Sequence, residues 1–204
     1  QLVIGKDLAL IQRAKTQEQA NAIEHDLLFF MIDCDHFKQI NDEYGHDVGD
    51  QLLCAIANVL KQVFRESDYV VRWGGEEFLV VVRFFPGHQA AELAERLRLA
   101  ICEMRLILQD DRVVRRTCSL GYAVLPSTTN VSPDFEWQKF VKLADYAMYC
   151  AKNSGRNTWV GIHLQDENGD CVSGQLQNNE IALLLALGHL RVESQKNTKD
   201  LRWH

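Results

Sequence analysis

The chain has 204 residues, of which 47% are hydrophobic and 25% charged, and its formal net charge is −6. That is enough apolar material for one substantial core with an appendage, and the acidic balance argues against non-specific binding to nucleic acid. No uninterrupted apolar run of about 18 residues and no signal peptide occurs, so no membrane span is predicted and a cytoplasmic location is expected.

Residues 5–25, rich in Gln and Ala, read as a polar-faced helix. The apolar run 27–32 then reads as a buried strand ending in Asp33-Cys34-Asp35, which puts a carboxylate at the C-terminal end of a strand, where α/β proteins commonly bind ligands. From His36 to Asp50 the chain carries a lysine (Lys38), an asparagine (Asn41), a histidine (His46) and further acids. Helical patterning is expected from Gly49 onward, with Leu52, Leu53, Ile56, Val59, Leu60 and Val63 at a 3.6-residue period. Strand-like runs at 69–71 and 78–82 flank Gly74-Gly75, the signature of a tight hairpin that leaves Glu76 and Glu77 at an exposed strand edge. Two glycines allow close backbone approach to a phosphate, and adjacent acids can hold a hard divalent cation. A Gly-Gly turn followed by solvated glutamates is the plainer alternative.

Further on, a helix is expected at about 88–104, then two strands turning near Asp110-Asp111, the second running through 117–124. A helix at about 137–152 and a short strand near Trp159-Val160 complete the core. Beyond it, 167–170 reads as a turn. Residues 180–190 read as an apolar helix that must be covered by the core, by a second subunit or by a neighbouring domain. The six cysteines, Cys34, Cys54, Cys102, Cys118, Cys150 and Cys171, lack C-x-x-C spacing and read as buried thiols.

Three strings carry a family resemblance: D-C-D-H-F-K-Q-I-N-D-E-Y-G-H-D-V-G-D-Q-L-L from Asp33, R-W-G-G-E-E-F from Arg72, and A-D-Y-A-M-Y-C-A-K-N-S-G-R-N from Ala144. In this order they resemble the GGDEF domain of diguanylate cyclases, over about residues 27–161. The resemblance implies such a domain at 1–162 and a C-terminal extension at 163–204. The family's usual opening, a segment like D-x-L-T-G-L-x-N-R, is missing, as expected of a fragment cut near the domain's front edge with an upstream sensory domain removed. A membrane anchor in that missing part would be compatible with a cytoplasmic domain. The implied fold is α+β, a polymerase-palm, nucleotidyl-cyclase-like (ferredoxin-like) core with an antiparallel-rich sheet of about five strands flanked by helices.

On this resemblance the domain would condense two GTP molecules into cyclic di-GMP, each ribose 3′-hydroxyl attacking the other nucleotide's α-phosphate and releasing pyrophosphate. Asp33 and Glu76, with the backbone carbonyl of Cys34, would hold Mg²⁺ (or Mn²⁺), two ions per half-site. Glu76 would also accept the proton, and Glu77 is required by the motif. Lys38 would stabilise the phosphoryl transition state, Lys152 and Arg156 would grip the β- and γ-phosphates, and Gly74 and Gly75 would border the substrate. Asp50, with Asn41 beside it and His46 lining the pocket, would read guanine through its N1–H and N2–H₂ edge, a donor pair that adenine lacks. Arg65 and Asp68, an R-x-x-D pair ahead of the hairpin, match a product-binding inhibitory site, since arginine stacks on guanine and pairs with phosphate.

Catalysis would need a homodimer, with GTP as substrate, cyclic di-GMP as product and inhibitor, and no nucleic acid. Outside the motifs these residues would read as helix caps, turn residues, a solvated helix end and a surface ion pair. A receptor for cyclic di-GMP or GTP is the first rival, but it would usually show a broken G-G-E-E-F or a lost metal acid, and both are intact. A cyclase of relaxed base choice would tend to replace Asp50 with a smaller polar residue. A purely structural module would need none of these acids.

Overall fold

The computed structural model describes residues 26–126, 137–165 and 178–203. The helix expected at 5–25, the turn at 167–170 and Cys171 lie outside them. Strand β1 (Asp26–Cys34) leads into helices α1 (Phe37–Tyr44) and α2 (His46–Val63), then the hairpin β2 (Tyr69–Gly74) and β3 (Glu77–Phe85). A 3₁₀ turn at Gly87–Gln89 opens α3 (Ala90–Glu103), which is followed by the short ribbon β4 (Leu106–Ile107) and β5 (Val113–Val114). The chain continues through β6 (Cys118–Leu125), α4 (Gln138–Asn153), β7 (Trp159–Leu164), α5 (Asn178–Ala186), β8 (Leu190–Ser194) and a 3₁₀ turn at Thr198–Asp200. Among the described residues no helix is long and apolar enough to cross a membrane.

Six strands form one sheet in the order β2-β3-β1-β6-β7-β8. Every neighbouring pair is antiparallel except β6 and β7, which run parallel and are joined through α4. The centre of the sheet follows from strand periodicity. Leu28, Phe30 and Ile32 of β1 enter the core beneath α2 and α3, while Leu27, Phe29 and Met31 enter the core beneath α4. A strand apolar at every position from 27 to 32 therefore has helices on both faces, and each fully buried large side chain contributes roughly 1.5–3 kcal/mol. Helix α4 lies so close to β6 that a Cβ at Gly121 would collide with the Ala144 carbonyl and the Met148 nitrogen.

Four expectations need correction. The sheet has six strands, because residues beyond the apolar stretch add β8 at the edge beside β7. That stretch is helical only to Ala186; Gly188 turns the chain at φ 76°, and Leu190, expected to end a helix, begins a strand. The turn near Asp110-Asp111 joins β4 to β5 in a separate ribbon, while β6 is an interior strand of the main sheet. Helical structure resumes at His46, ahead of Gly49, after a break at Gly45 with φ 87°. Of the five described cysteines, all free, Cys34, Cys118 and Cys150 are buried as expected, Cys102 is partly buried and Cys54 is exposed.

The apolar stretch packs on this chain's own core: Ile181 of α5 and Leu190 of β8 are buried against the α4 side of the sheet. Leu183 and Leu187 face outward.

Candidate active site

The site is built where the C-terminal end of β1 meets the β2–β3 turn. Asp33 is buried at that strand end and lies directly opposite Glu77 across the β1–β3 ladder. The Cys34 N–H donates to the Glu76 carbonyl at 3.4 Å, holding the turn against β1. Within the turn Gly75 adopts φ 47°, a conformation glycine enters without steric cost. Arg72 Nε clamps it by donating to the Gly75 carbonyl at 2.9 Å. Trp73 is the extra residue of a β-bulge, since Arg72 pairs with Phe78 and Gly74 with Glu77. The two acids, expected at an exposed strand edge, are half-buried: β3 lies between β2 and β1, Glu76 closes the turn and Glu77 begins this interior strand.

Lys152, in the last turn of α4, places Nζ 2.6 Å from Asp33 Oδ2. Burial pushes the Asp33 carboxyl up to about 6; the Lys152 hydrogen bond and charge oppose this, while Glu76 and Glu77 add to it. Burial also pushes the Cys34 thiol up, to about 12, which keeps it protonated and inert. The corner therefore concentrates carboxylates beyond what one lysine neutralises.

Asp35, two residues on, is a buried hub. It accepts from Thr117 Oγ1 at 2.6 Å, Ser119 Oγ at 2.7 Å and the Asn157 N–H at 3.0 Å. Arg98 of α3 grips Glu95 through two nitrogens and donates to Asn157 Oδ1 at 2.7 Å. Asp35 and Arg98 thus fix the loop that carries Arg156, which is exposed.

The helical side of the site is more open. Lys38 projects from the first turn of α1 and is exposed, as are His46 and Asp50 on α2. Asn41 lies beside Gly49, where any Cβ would collide with its Oδ1, and that oxygen is buried with no hydrogen bond among the described residues. Asp50 lines a cavity of about 400 Å³ between α2 and the hairpin, together with Cys54, Lys61 and Arg72.

Arg65 and Asp68 sit at the opposite end of the hairpin. Asp68 is buried and accepts from the Arg65 N–H at 2.9 Å and the Arg83 N–H at 3.1 Å. Arg83 lies six positions along β3 from Glu77, a span of about 20 Å. Asp68 is therefore a turn-fixing acceptor, and the Arg65 guanidinium lies over the Phe85 ring at 5.9 Å. Both line a cavity of about 500 Å³ that also takes in Glu92 and Arg96 of α3.

A family profile described as "Diguanylate cyclase, GGDEF domain" matches residues 8–158. The chain belongs to the GGDEF family. The match begins ahead of the motifs at Asp33, within residues 5–25. The diguanylate cyclase DgcM of Escherichia coli K12 is 39% identical over 141 residues, which cover 69% of this chain and 32% of the relative. The chain thus spans about a third of that relative's length. Among solved structures, the GGDEF domain of DgcB from Caulobacter crescentus, in complex with c-di-GMP, matches with a TM-score of 0.62 at 25% identity, covering 75% of this chain and 82% of that one. The active GGEEF domain of a diguanylate cyclase from Vibrio cholerae matches with a TM-score of 0.60 at 29% identity, covering 74% and 86%.

In this GGDEF domain the fold brings Asp33, Cys34, Glu76, Glu77 and Lys152 into one corner and keeps Arg65 and Asp68 apart from it. Sequence reasoning missed Asp35, Arg72, Arg96 and Arg98. Asp35 stood in the D-C-D string, Arg72 opened the R-W-G-G-E-E-F string, and Arg98 follows Glu95 at a helical i,i+3 spacing; Arg96 carried no local signal.

Proposed function

We propose that this GGDEF domain is a diguanylate cyclase that joins two GTP molecules into cyclic di-GMP. The observation that carries the reading is the crowded acid corner, in which Asp33, raised to about 6, lies opposite Glu77 and beside Lys152. Mg²⁺ or Mn²⁺ fits this donor set of hard oxygens: Asp33, Glu76 and the Cys34 carbonyl would hold it. Among the described residues no three His, Cys, Asp or Glu side chains converge on one point, which suits ions whose remaining ligands are phosphate oxygens and water. Two bound ions per half-site would lower the pKa of the 3′-hydroxyl and neutralise charge building on the phosphate.

The protein groups divide the remaining work. Glu76 accepts the hydroxyl proton. Lys152 leaves Asp33 to grip the β- and γ-phosphates with Arg156, and Lys38 reaches the transferring phosphoryl group from α1. Asp50, with Asn41 beside it, reads the guanine edge. Each domain supplies one half-site, so two copies must meet, in the cytoplasm where GTP is abundant. At the far end of the hairpin Arg65 and Asp68, in a cavity that Arg96 also lines, hold cyclic di-GMP, and the bound product inhibits the reaction.

Incubation with GTP and Mg²⁺ and identification of the product tests the reading, with cyclic di-GMP expected and a rate rising faster than linearly with protein concentration. First-order dependence down to concentrations where the protein is monomeric would overturn the paired half-sites. GTP binding without product would favour a receptor.

A further inference from the structure

The chain continues past the family match, and its last stretch returns to the loop after α4. Lys196 Nζ donates to the Ser154 carbonyl at 2.5 Å, and the Arg202 N–H donates to Ser154 Oγ at 2.9 Å. Trp203 stacks on Tyr146 of α4, with ring centroids 5.3 Å apart and planes 19° apart. The stretch is itself anchored to the sheet. Ser194 Oγ donates to the Trp159 carbonyl at 2.9 Å and accepts from the Lys196 N–H at 3.1 Å. Glu193 of β8 accepts from the Tyr122 hydroxyl and lies 2.6 Å from His163 Nε2. Burial works to raise the Glu193 carboxyl, but His163, Tyr122 and Arg191 outweigh it and hold it at about 2.

The loop that receives these contacts is one that requires holding. Arg156 and Asn157 have φ of 59° and 46°, a left-handed conformation that side-chain-bearing residues keep only where their surroundings fix it. On one side Asp35 and Arg98 fix Asn157. On the other, the holders are Lys196 and Arg202. Ser154 caps the C-terminus of α4, where a cation is favoured by the helix dipole, and Lys152 sits in that last turn.

We propose that residues 194–203 are a strap that positions Lys152 and Arg156 for the nucleotide's phosphates, so that phosphate recognition depends on a segment outside the family match. The proposal rests on the nucleotide reading above. Two ligands separate its parts: 3′-deoxy-GTP with Mg²⁺, which binds through base and phosphates but cannot cyclise, and guanosine, which has no phosphate. Lys196→Met removes one contact and Arg202→Pro the other. Leu201, at ψ 138°, already has the conformation required before proline.

Each variant is expected to weaken 3′-deoxy-GTP about five- to tenfold while guanosine stays within about twofold, the change expected for one lost hydrogen bond of ordinary strength. Lys196→Arg, which keeps the cation, should bind 3′-deoxy-GTP as the parent does. Melting curves establish that the variants are folded. Equal weakening of both ligands would reduce the segment to a general stabiliser, and unchanged binding of both would mean that the loop stands without it; either result overturns the strap. Failure of the parent to bind either ligand would overturn the nucleotide reading itself, and the strap's role with it.

Discussion

The phosphate end and the base end of the proposed nucleotide site are built differently. At the phosphate end Asp33 is buried and paired, Asp35 takes three hydrogen bonds, and the loop of Arg156 is braced on Asn157. At the base end Asp50 and His46 are exposed on α2, and the Asn41 oxygen has no partner among the described residues. Preorganised charge is worth most where charge develops during the reaction. Base reading needs only acceptors that the ligand itself satisfies, so the same chain fixes one end and leaves the other open.

If this contrast is right, removing charge from the fixed end has the larger effect. Glu76→Gln keeps shape but loses a metal-holding charge and the proton acceptor, and turnover should fall by at least about a hundredfold in a folded protein. Near-normal synthesis would break the assignment. The ionisation of Asp33 sharpens it. Its folded pKa of about 6 lies above an unfolded value of about 3.9, so its ionisation opposes folding. Relative to Asp33→Asn, the metal-free parent should be most stable below about pH 4 and lose up to about 3 kcal/mol as pH rises through about 6. Denaturant unfolding across that range reads the effect, and a pH-independent difference would mean that Asp33 is not held in its neutral form.

At the open end Asp50→Ser should weaken the preference for GTP over ATP by about one to two orders of magnitude, because a charged acceptor contributes roughly 2–3 kcal/mol. An unchanged ratio of specificity constants would remove Asp50 from base reading. The smallest effect on initial rate is expected away from both ends. Arg65→Ala should leave it similar while relieving inhibition by added cyclic di-GMP, and that inhibition should not be overcome by GTP. Equal inhibition of variant and parent would end the inhibitory assignment.

The acids of the corner were legible because they lie in short strings whose order is itself informative, and β1 was legible because positions 27–32 are all apolar. Asp35 was not. Its partners Thr117, Ser119 and Asn157 lie far along the chain, and only the pairing of β1 with β6 brings the first two within reach. Arg96 likewise joins Arg65 only through the packing of α3 beside α2. β8 was hidden because an apolar run beside it imitates a continuing helix, and Gly188 ends that helix without a proline or a polar cluster to mark the spot.

The position of β1 has a consequence for how the protein is made. Its neighbours in the sheet are β3 and β6, and Leu27 pairs with Leu125. On the ribosome this strand emerges before both of its neighbours and waits for about a hundred further residues before its second edge can close, with side chains at 27–32 that are apolar on both faces. Until β6 arrives, the sequence Leu-Leu-Phe-Phe-Met-Ile at 27–32 keeps one open, adhesive edge. Synthesis halted between β3 and β6 would therefore yield a chain bound by chaperones or self-associated, and the domain completes its core only after most of its length has been translated.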